Sequence, residues 1–253
     1  MSDLADLPKL KRGVAGWVGR PVWREIRSFD ERRKLRASPL WRGDGVPVGN
    51  DRPVLLIPGF MSGEHKAAPL AHVLSAAGWD VEIAEVGRNA GPAYVGVDAA
   101  ELGLRRLSER SGEPVTVVGH SRGGQYGRVL AVRHPELVKR VIAVGSPLRT
   151  KYPPFFVVKV PAETLDWCWR AGWFGPVSIG REQEVDDHRY LEFPESVDLV
   201  SIYSRSDGIV DWRYSFDPAA SMVEVSATHL GLMHSVAGVS AVVAQLRDRV
   251  ERD

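Results

Sequence analysis

The chain contains 253 residues, of which 44% are hydrophobic and 26% are charged. These values are ordinary for a globular protein of one large domain or two small ones. The formal net charge of +1 gives no overall field that would favour nucleic acid or an anionic membrane as a partner. The single cysteine, Cys168, cannot form an intramolecular disulfide, and no Cys/His cluster has the spacing of a zinc site.

Neither a signal peptide nor a membrane span is predicted. The first 20 residues carry several charges and no sustained apolar core, which is unlike a secretory signal. No apolar run reaches the roughly 18 residues that a spanning helix needs. We therefore expect a cytoplasmic protein without a transmembrane segment.

Residues 1–52 precede the first clear strand and are predicted to be a helical extension packed on the core. Trp23, Ile26 and Phe29 fall on one helical face, with basic residues around them. This pattern predicts an amphipathic helix that buries its apolar face and leaves a basic face in solvent. Binding to a membrane surface is the alternative interpretation of the same pattern.

Beyond residue 52, short apolar runs alternate with segments of helical periodicity. Strands that alternate with helices at these lengths imply an α/β fold, with a mainly parallel sheet and helices on both faces. The predicted strands are 53–57, 79–84, 115–118, 138–144, 197–203 and 222–225, and the predicted helices are 65–77, 98–110, 125–134 and 235–250.

The segment 149–196 differs in character from the rest of the chain. It is rich in aromatic residues, with several prolines and glycines between them. We interpret it as an insertion that forms a cap or lid, while 53–148 and 197–253 form the core. Its aromatic side chains either line an apolar pocket or simply pack the cap on the core. Cys168, between two tryptophans, is expected to be a small buried residue.

The segment Gly119-His120-Ser121-Arg122-Gly123 is the strongest indication of function. It matches G-x-S-x-G between a valine-rich strand and a helix, the context in which a sharp turn exposes a nucleophilic serine. Side chains at Gly119 and Gly123 would collide across such a turn, and the serine would adopt strained dihedrals. The pattern predicts Ser121 as a nucleophile.

A serine hydroxyl needs a positioned base, usually a histidine that a carboxylate orients. With this motif the acid follows the serine in the chain and the histidine comes last. Asp207 directly follows a predicted strand, and Asp211 is the alternative acid four residues later. His229 lies in the loop after the last strand, whereas His234, the alternative base, begins the final helix. We predict Asp207 and His229.

Two backbone N–H groups should stabilise the negative oxygen that forms during attack. One is predicted from Arg122, the residue after the nucleophile. The other is predicted from Phe60, which follows Pro58-Gly59 at the end of the first core strand. Both groups belong to the backbone, so their side chains are incidental to this role.

Four motifs together resemble the α/β-hydrolase superfamily, and more closely its bacterial lipase and esterase branch. The resemblance implies an α/β-hydrolase fold, with Ser121 as nucleophile, His229 as base, Asp207 as its orienting acid, and no metal or organic cofactor. These lipases often have His-Gly in the first motif, where this chain has Pro58-Gly59. The motifs are Ile57-Pro58-Gly59-Phe60, Gly119-His120-Ser121-Arg122-Gly123, Ser206-Asp207-Gly208-Ile209-Val210 and Thr228-His229-Leu230-Gly231.

The expected function is hydrolysis of carboxylic esters with an apolar acyl group, with a small-molecule ester or lipid as substrate. Thioesterase, amidase or acyltransferase activity would use the same mechanism. A slow small-molecule-binding protein that retains the three residues is an alternative of a different class. The residues predicted to line the substrate pocket are Met61, His120, Trp167, Trp173, Ile209 and Leu230.

Overall fold

The structure is a computed structural model that describes residues 22–148, 163–165, 167–173 and 176–247. Part of the predicted N-terminal extension and much of the predicted cap therefore lie outside the described residues.

One six-stranded sheet forms the centre of the fold. All neighbouring strands run parallel, in the order β2-β1-β3-β4-β5-β6. The mainly parallel sheet predicted from the sequence is confirmed. Its strands are β1 (Pro53–Ile57), β2 (Asp80–Ile83), β3 (Val115–His120), β4 (Val138–Val144), β5 (Asp198–Tyr203) and β6 (Ala220–Glu224).

In the described part of the chain, six α-helices with defined bounds accompany the sheet, and short 3₁₀ turns precede α1 and α6. None of the helices in the described part of the chain is long and apolar enough to cross a membrane. The helices are α1 (Ser28–Ala37), α2 (Glu64–Ala76), α3 (Ala93–Ser111), α4 (Arg122–Arg133), α5 (Ile179–Tyr190) and α6 (Val236–Ala244).

Two apolar clusters cover the two faces of the sheet. Successive side chains of a strand point to opposite faces, and β1 shows this alternation clearly. Leu55 and Ile57 pack in the cluster that contains side chains of α3, α4 and α5. Val54 and Leu56 pack in the cluster that contains side chains of α1, α2 and α6. Burying each such side chain stabilises the fold by about 1.5–3 kcal/mol.

The register places the end of β3 between the ends of two neighbours. Gly119 lies opposite Ile57 of β1 on one side and Ala143 of β4 on the other. Because the strands are parallel, the loops that leave β1, β3, β4, β5 and β6 emerge at the same edge of the sheet. This edge is where an open α/β sheet usually binds ligands.

The N-terminal extension packs on the core, but with a different face from the predicted one. Trp23, Ile26 and Phe29 are 73%, 71% and 79% exposed, so the predicted burial of this apolar face is wrong. The buried residues are instead Glu25, in the 3₁₀ turn before α1, and Ser28 and Leu35 in α1 itself. Polar contacts with the loops after β5 and β6, described below, account for this orientation.

The predicted insertion contains a helix that packs on the core. Helix α5 contacts α3 and α4, and Val185 belongs to their apolar cluster. Glu182 of α5 accepts a hydrogen bond from the backbone N–H of Ala93 at 2.7 Å, which satisfies a free donor at the start of α3. Nearer to β4, residues 163–165 and 167–170 are helical, and Cys168 is buried as predicted.

Candidate active site

Ser121 occupies a strained turn between β3 and α4. Its φ is 53° and its ψ is −118°, a backbone conformation that residues other than glycine rarely adopt. A side chain on Gly119 would collide with the carbonyl oxygen of Gly123, and one on Gly123 would collide with that of Ile57. The steric reason for the two glycines is therefore confirmed. The turn leaves Ser121 half-buried at the N-terminus of α4.

Asp207 and His229 meet at the same edge of the sheet. His229 Nδ1 and Asp207 Oδ2 are 2.7 Å apart, and both side chains are buried. The other oxygen of Asp207 accepts hydrogen bonds from two backbone N–H groups in its own loop, at 2.7 Å each. These bonds fix the carboxylate, so that Nδ1 of His229 is the donor and Nε2 is left as the acceptor.

The pKa of His229 is raised above the ordinary histidine value. Burial lowers the pKa, but the charge and hydrogen bond of Asp207, together with the charge of Glu25, outweigh it. The protonated imidazole is thus stabilised where a catalytic base must accept a proton.

Asp211, the alternative acid, and His234, the alternative base, have different hydrogen-bond partners and charged neighbours from Asp207 and His229. Asp211 accepts hydrogen bonds from the backbone and side chain of Arg213, and its carboxylate starts a 3₁₀ turn. His234 is buried, and its pKa is lowered to about 4 by burial and by the charges of Lys66 and Arg32. The geometry therefore favours Asp207 and His229 over these two residues.

Gly145 and His120 connect the turn of Ser121 with the Asp207–His229 pair. A Cβ on Gly145, just after β4, would lie 3.3 Å from His229 Nδ1 and 3.4 Å from Asp207 Oδ2. The backbone N–H of Ser121 donates to Val144, the residue before Gly145, at 2.8 Å. The ring of His120 lies 4.6 Å from that of His229, centroid to centroid. His120, in the turn of Ser121, therefore also contacts the ring of His229.

The two predicted oxyanion residues flank the serine. A Cβ on Gly59 would lie 3.0 Å from Cβ of Ser121, so the backbone that leads into Phe60 passes beside the Ser121 side chain. Arg122 is the first residue of α4, where an N–H has no acceptor within the helix. In the described part of the chain, no hydrogen bond from the backbone N–H of Phe60 or Arg122 is found.

The side chain of Arg122 binds the loop after β2, a contact that the sequence did not indicate. Its guanidinium donates to the carbonyl oxygens of Asn89 and Gly91 at 3.0 and 2.9 Å. Asn89 in turn donates to the carbonyl oxygen of Pro58 at 2.9 Å and accepts from the Tyr126 hydroxyl at 2.8 Å. These bonds tie the loop after β2 to the two turns that carry Phe60 and Ser121.

The residues predicted to line the substrate pocket differ in their exposure. Ile209 and Leu230 are half-buried beside Asp207 and His229 in sequence, and Met61 is 52% exposed after Phe60. Trp167 and Trp173 are largely exposed and contact each other edge to face, with ring centroids 5.4 Å apart.

Trp169 lies beside the loop after β2. A Cβ on Gly91 would touch its indole at 3.4 Å, and Gly91 is held by Arg122. The sequence marked this tryptophan only as one of three that pack the cap or line a pocket.

A separate groove of about 770 Å³ lies near the amino ends of β5 and β6. Arg128, Phe193, Asp198, Asp217 and Ser221 are among its lining residues, and none of the predicted site residues borders it. This groove is therefore distinct from the candidate active site.

A family model described as the alpha/beta hydrolase fold matches residues 107–171. The match includes β3, the Ser121 turn, α4 and β4. No curated protein sequence matches the chain.

Solved structures share the fold at low sequence identity. A structure from the work on LipS and LipT, two metagenome-derived lipolytic enzymes, is 15% identical with a TM-score of 0.57, covering 79% of this chain and 93% of its own. A monoacylglycerol lipase from Paleococcus ferrophilus is 18% identical with a TM-score of 0.54, covering 79% and 96%. A thioesterase domain from the curacin biosynthetic pathway is 15% identical with a TM-score of 0.50, covering 79% and 92%. The predicted α/β-hydrolase fold is confirmed.

Proposed function

We propose that this chain, which has the α/β-hydrolase fold, is a serine hydrolase that cleaves carboxylic esters with an apolar acyl group. The observation that carries the proposal is the buried hydrogen bond between His229 and Asp207, at the same sheet edge as the strained turn of Ser121. A hydroxyl, an imidazole and a carboxylate in this order are the components of acyl transfer through a covalent intermediate.

In the first half of the reaction, Ser121 Oγ attacks the ester carbonyl carbon while Nε2 of His229 takes the hydroxyl proton. The carbonyl oxygen becomes an alkoxide, and the backbone N–H groups of Phe60 and Arg122 stabilise it. The tetrahedral intermediate then collapses. Its C–O bond to the alcohol breaks, and protonated His229 gives the proton to the departing oxygen, which leaves an acyl group on Ser121.

In the second half, water replaces the alcohol as the attacking group. His229 takes a proton from the water as its oxygen bonds to the acyl carbon, and the same two N–H groups stabilise the second alkoxide. Collapse breaks the bond to Ser121 and returns the proton to Oγ, so the carboxylic acid leaves. In both halves Asp207 keeps Nε2 of the neutral imidazole unprotonated before each proton transfer and stabilises the positive imidazole that forms afterwards.

The preference for an apolar acyl group is supported by the side chains around this edge. Met61 is exposed next to Phe60, and the indole of Trp169 lies beside Gly91. Lipolytic enzymes and a monoacylglycerol lipase are among the solved structures with which the chain shares its fold. A thioester is the second substrate class to test, because one structural neighbour is a thioesterase domain and the acyl-transfer steps are the same.

Hydrolysis of a p-nitrophenyl ester series from acetate to palmitate, together with acyl thioesters of matching length, tests the proposal. We expect ester turnover by the wild type with a maximum beyond acetate, and its loss in Ser121→Ala. Equal turnover by the two proteins would contradict the role of Ser121. Turnover restricted to thioesters would move the assignment to a thioesterase, and the absence of both would favour a binding protein.

A further inference from the structure

Glu25, in the N-terminal extension, reaches both loops that carry the acid and the base. Its Oε1 accepts hydrogen bonds from the backbone N–H of Gly208 at 3.1 Å and of His229 at 2.9 Å. Its Oε2 accepts from the N–H of Leu230 at 3.0 Å. The carboxylate is buried, and it lies nearly 200 residues away from these donors in sequence.

The three N–H donors belong to His229 itself and to the residues that directly follow Asp207 and His229. Gly208 follows Asp207 directly, and Leu230 follows His229. The Glu25 carboxylate accepts at both oxygens, and hydrogen bonds to a charged acceptor are stronger than those between neutral groups. Glu25 therefore links the loop that carries Asp207 to the loop that carries His229, and its carboxylate lies against the backbone N–H of His229.

We propose that Glu25 is a positioning residue for the hydrolase reaction, which holds the loop of His229 against the loop of Asp207. This inference rests on the proposed function, because it assigns to His229 the role of base. In the described part of the chain, the Glu25 carboxylate bonds to backbone N–H groups, so it would act through His229.

The electrostatic surroundings of His229 support the assignment. Burial lowers the pKa of His229, and the charges of Asp207 and Glu25 raise it above the ordinary value. Loss of the Glu25 charge should therefore move the titration of His229 to lower pH. The titratable and charged groups around this cluster are Asp207 after β5, Glu25 and Glu31 in the N-terminal extension, His120 at the end of β3, His234 after β6, Arg32 in α1 and Lys66 in α2.

Glu31 provides a matched comparison on the same extension. Its carboxylate accepts from the backbone N–H of Thr228 at 3.2 Å and from the Thr228 hydroxyl at 2.6 Å. It thus holds the base's loop without bonding to the acid's loop, and its charge is not among the causes of the His229 shift. Asp30 is a second control, since it is exposed and pairs with Lys34 and Arg33.

The first test is an NMR titration of the histidine rings in proteins that all carry Ser121→Ala, so that the readout does not depend on turnover. The His229 signal is assigned by its loss in His229→Gln. We expect Glu25→Gln to move the titration of His229 to lower pH, while Glu31→Gln and Asp30→Asn leave it in place. An unchanged titration in Glu25→Gln, or equal shifts in Glu25→Gln and Glu31→Gln, would overturn the proposal.

The second test is the pH profile of kcat/KM for ester hydrolysis in the intact serine background. Glu25→Gln should lower kcat/KM by about ten- to a hundredfold, mainly through kcat, and move the acid limb to lower pH. Glu25→Asp keeps the charge but shortens the reach, so we expect reduced kcat/KM with the acid limb near its wild-type position. If Glu25→Gln does not fold, the kinetics of Glu25→Asp still test the positioning role. Wild-type kcat/KM in Glu25→Asp would contradict the positioning role.

The two tests separate failure of the inference from failure of the proposed function. If the wild type hydrolyses no ester but the His229 titration shifts as expected, the positioning role stands and the substrate class is wrong. If the wild type hydrolyses esters and neither the titration nor kcat/KM responds to Glu25, the inference is wrong and the proposed function stands.

Discussion

His120 donates a hydrogen bond from Nε2 to the backbone carbonyl oxygen of His229 at 3.0 Å. A carbonyl oxygen can only accept, so Nε2 of His120 carries the proton. Burial, followed by the positive charge of His229, holds the pKa of His120 well below its usual range. The residue before the proposed nucleophile is thus a neutral side chain that ties down the backbone of the proposed base.

We expect His120→Phe to lower kcat about tenfold and the free energy of unfolding by about 1–3 kcal/mol. The phenyl ring keeps the contact with the His229 ring but cannot donate, so the carbonyl oxygen of His229 loses its partner. Ester hydrolysis and urea unfolding measure the two effects. The control is His72→Phe, because His72 is exposed and stacks on Trp41. Equal kinetics in both variants would show that the bond from His120 has no effect on the base.

The choice of acid predicts a large difference between two aspartates. Asp207→Asn should cost on the order of 10⁴ in kcat, because the amide no longer stabilises the imidazolium or fixes its tautomer. Asp211→Asn should retain most activity, since that carboxylate bonds to Arg213. Comparable losses in the two variants, measured with the same ester, would contradict the assignment of Asp207.

Because His234 is buried with a lowered pKa, we expect the free energy of unfolding to depend on pH. Its pKa is lowered from 6.5 to about 4 in the folded protein, so the unfolded chain binds more protons between these pH values. The stabilisation is therefore fully present above pH 6.5 and is lost as the pH falls towards 4. The size of the pKa difference corresponds to a contribution of about 3 kcal/mol to the free energy of unfolding.

Urea unfolding of the wild type and His234→Gln at pH 7 and pH 4.5 measures this contribution. Carboxylates that titrate in this range affect both proteins equally, and so do His120 and His229. We expect the free energy of unfolding to fall less in His234→Gln than in the wild type. A parallel fall in the two proteins would mean that His234 is not buried in its neutral form. His65→Gln, at an exposed position, should behave like the wild type.

The sequence was sufficient to predict the sheet and the contact between the proposed acid and base. Val115 and its neighbours form a strand by local pattern, and a parallel sheet sends the loops after its strands to one edge. The turn at Ser121 could be predicted because its glycines are required locally. Asp207 and His229 then follow from their positions directly after strands.

The orientation of the N-terminal extension could not be predicted from helical periodicity alone. Trp23, Ile26 and Phe29 indicated the buried face, whereas polar contacts over long sequence distances buried Glu25 instead. Helical spacing of Glu25, Ser28 and Glu31 was a signal for a polar inner face, but its partners lie in loops far along the chain. The hydrogen bonds from Arg122 to the loop after β2 could not be predicted either, because their partners are also distant in sequence.

The most direct test of the proposed function is labelling of the protein with a fluorophosphonate, followed by mass spectrometry of the modified peptide. We expect one label per chain on Ser121, with the labelling rate reduced in Asp207→Asn and unchanged in Asp211→Asn. Ser121→Ala should take up no label. Labelling at another residue, or none in the wild type, would contradict the claim that Ser121 is an activated nucleophile.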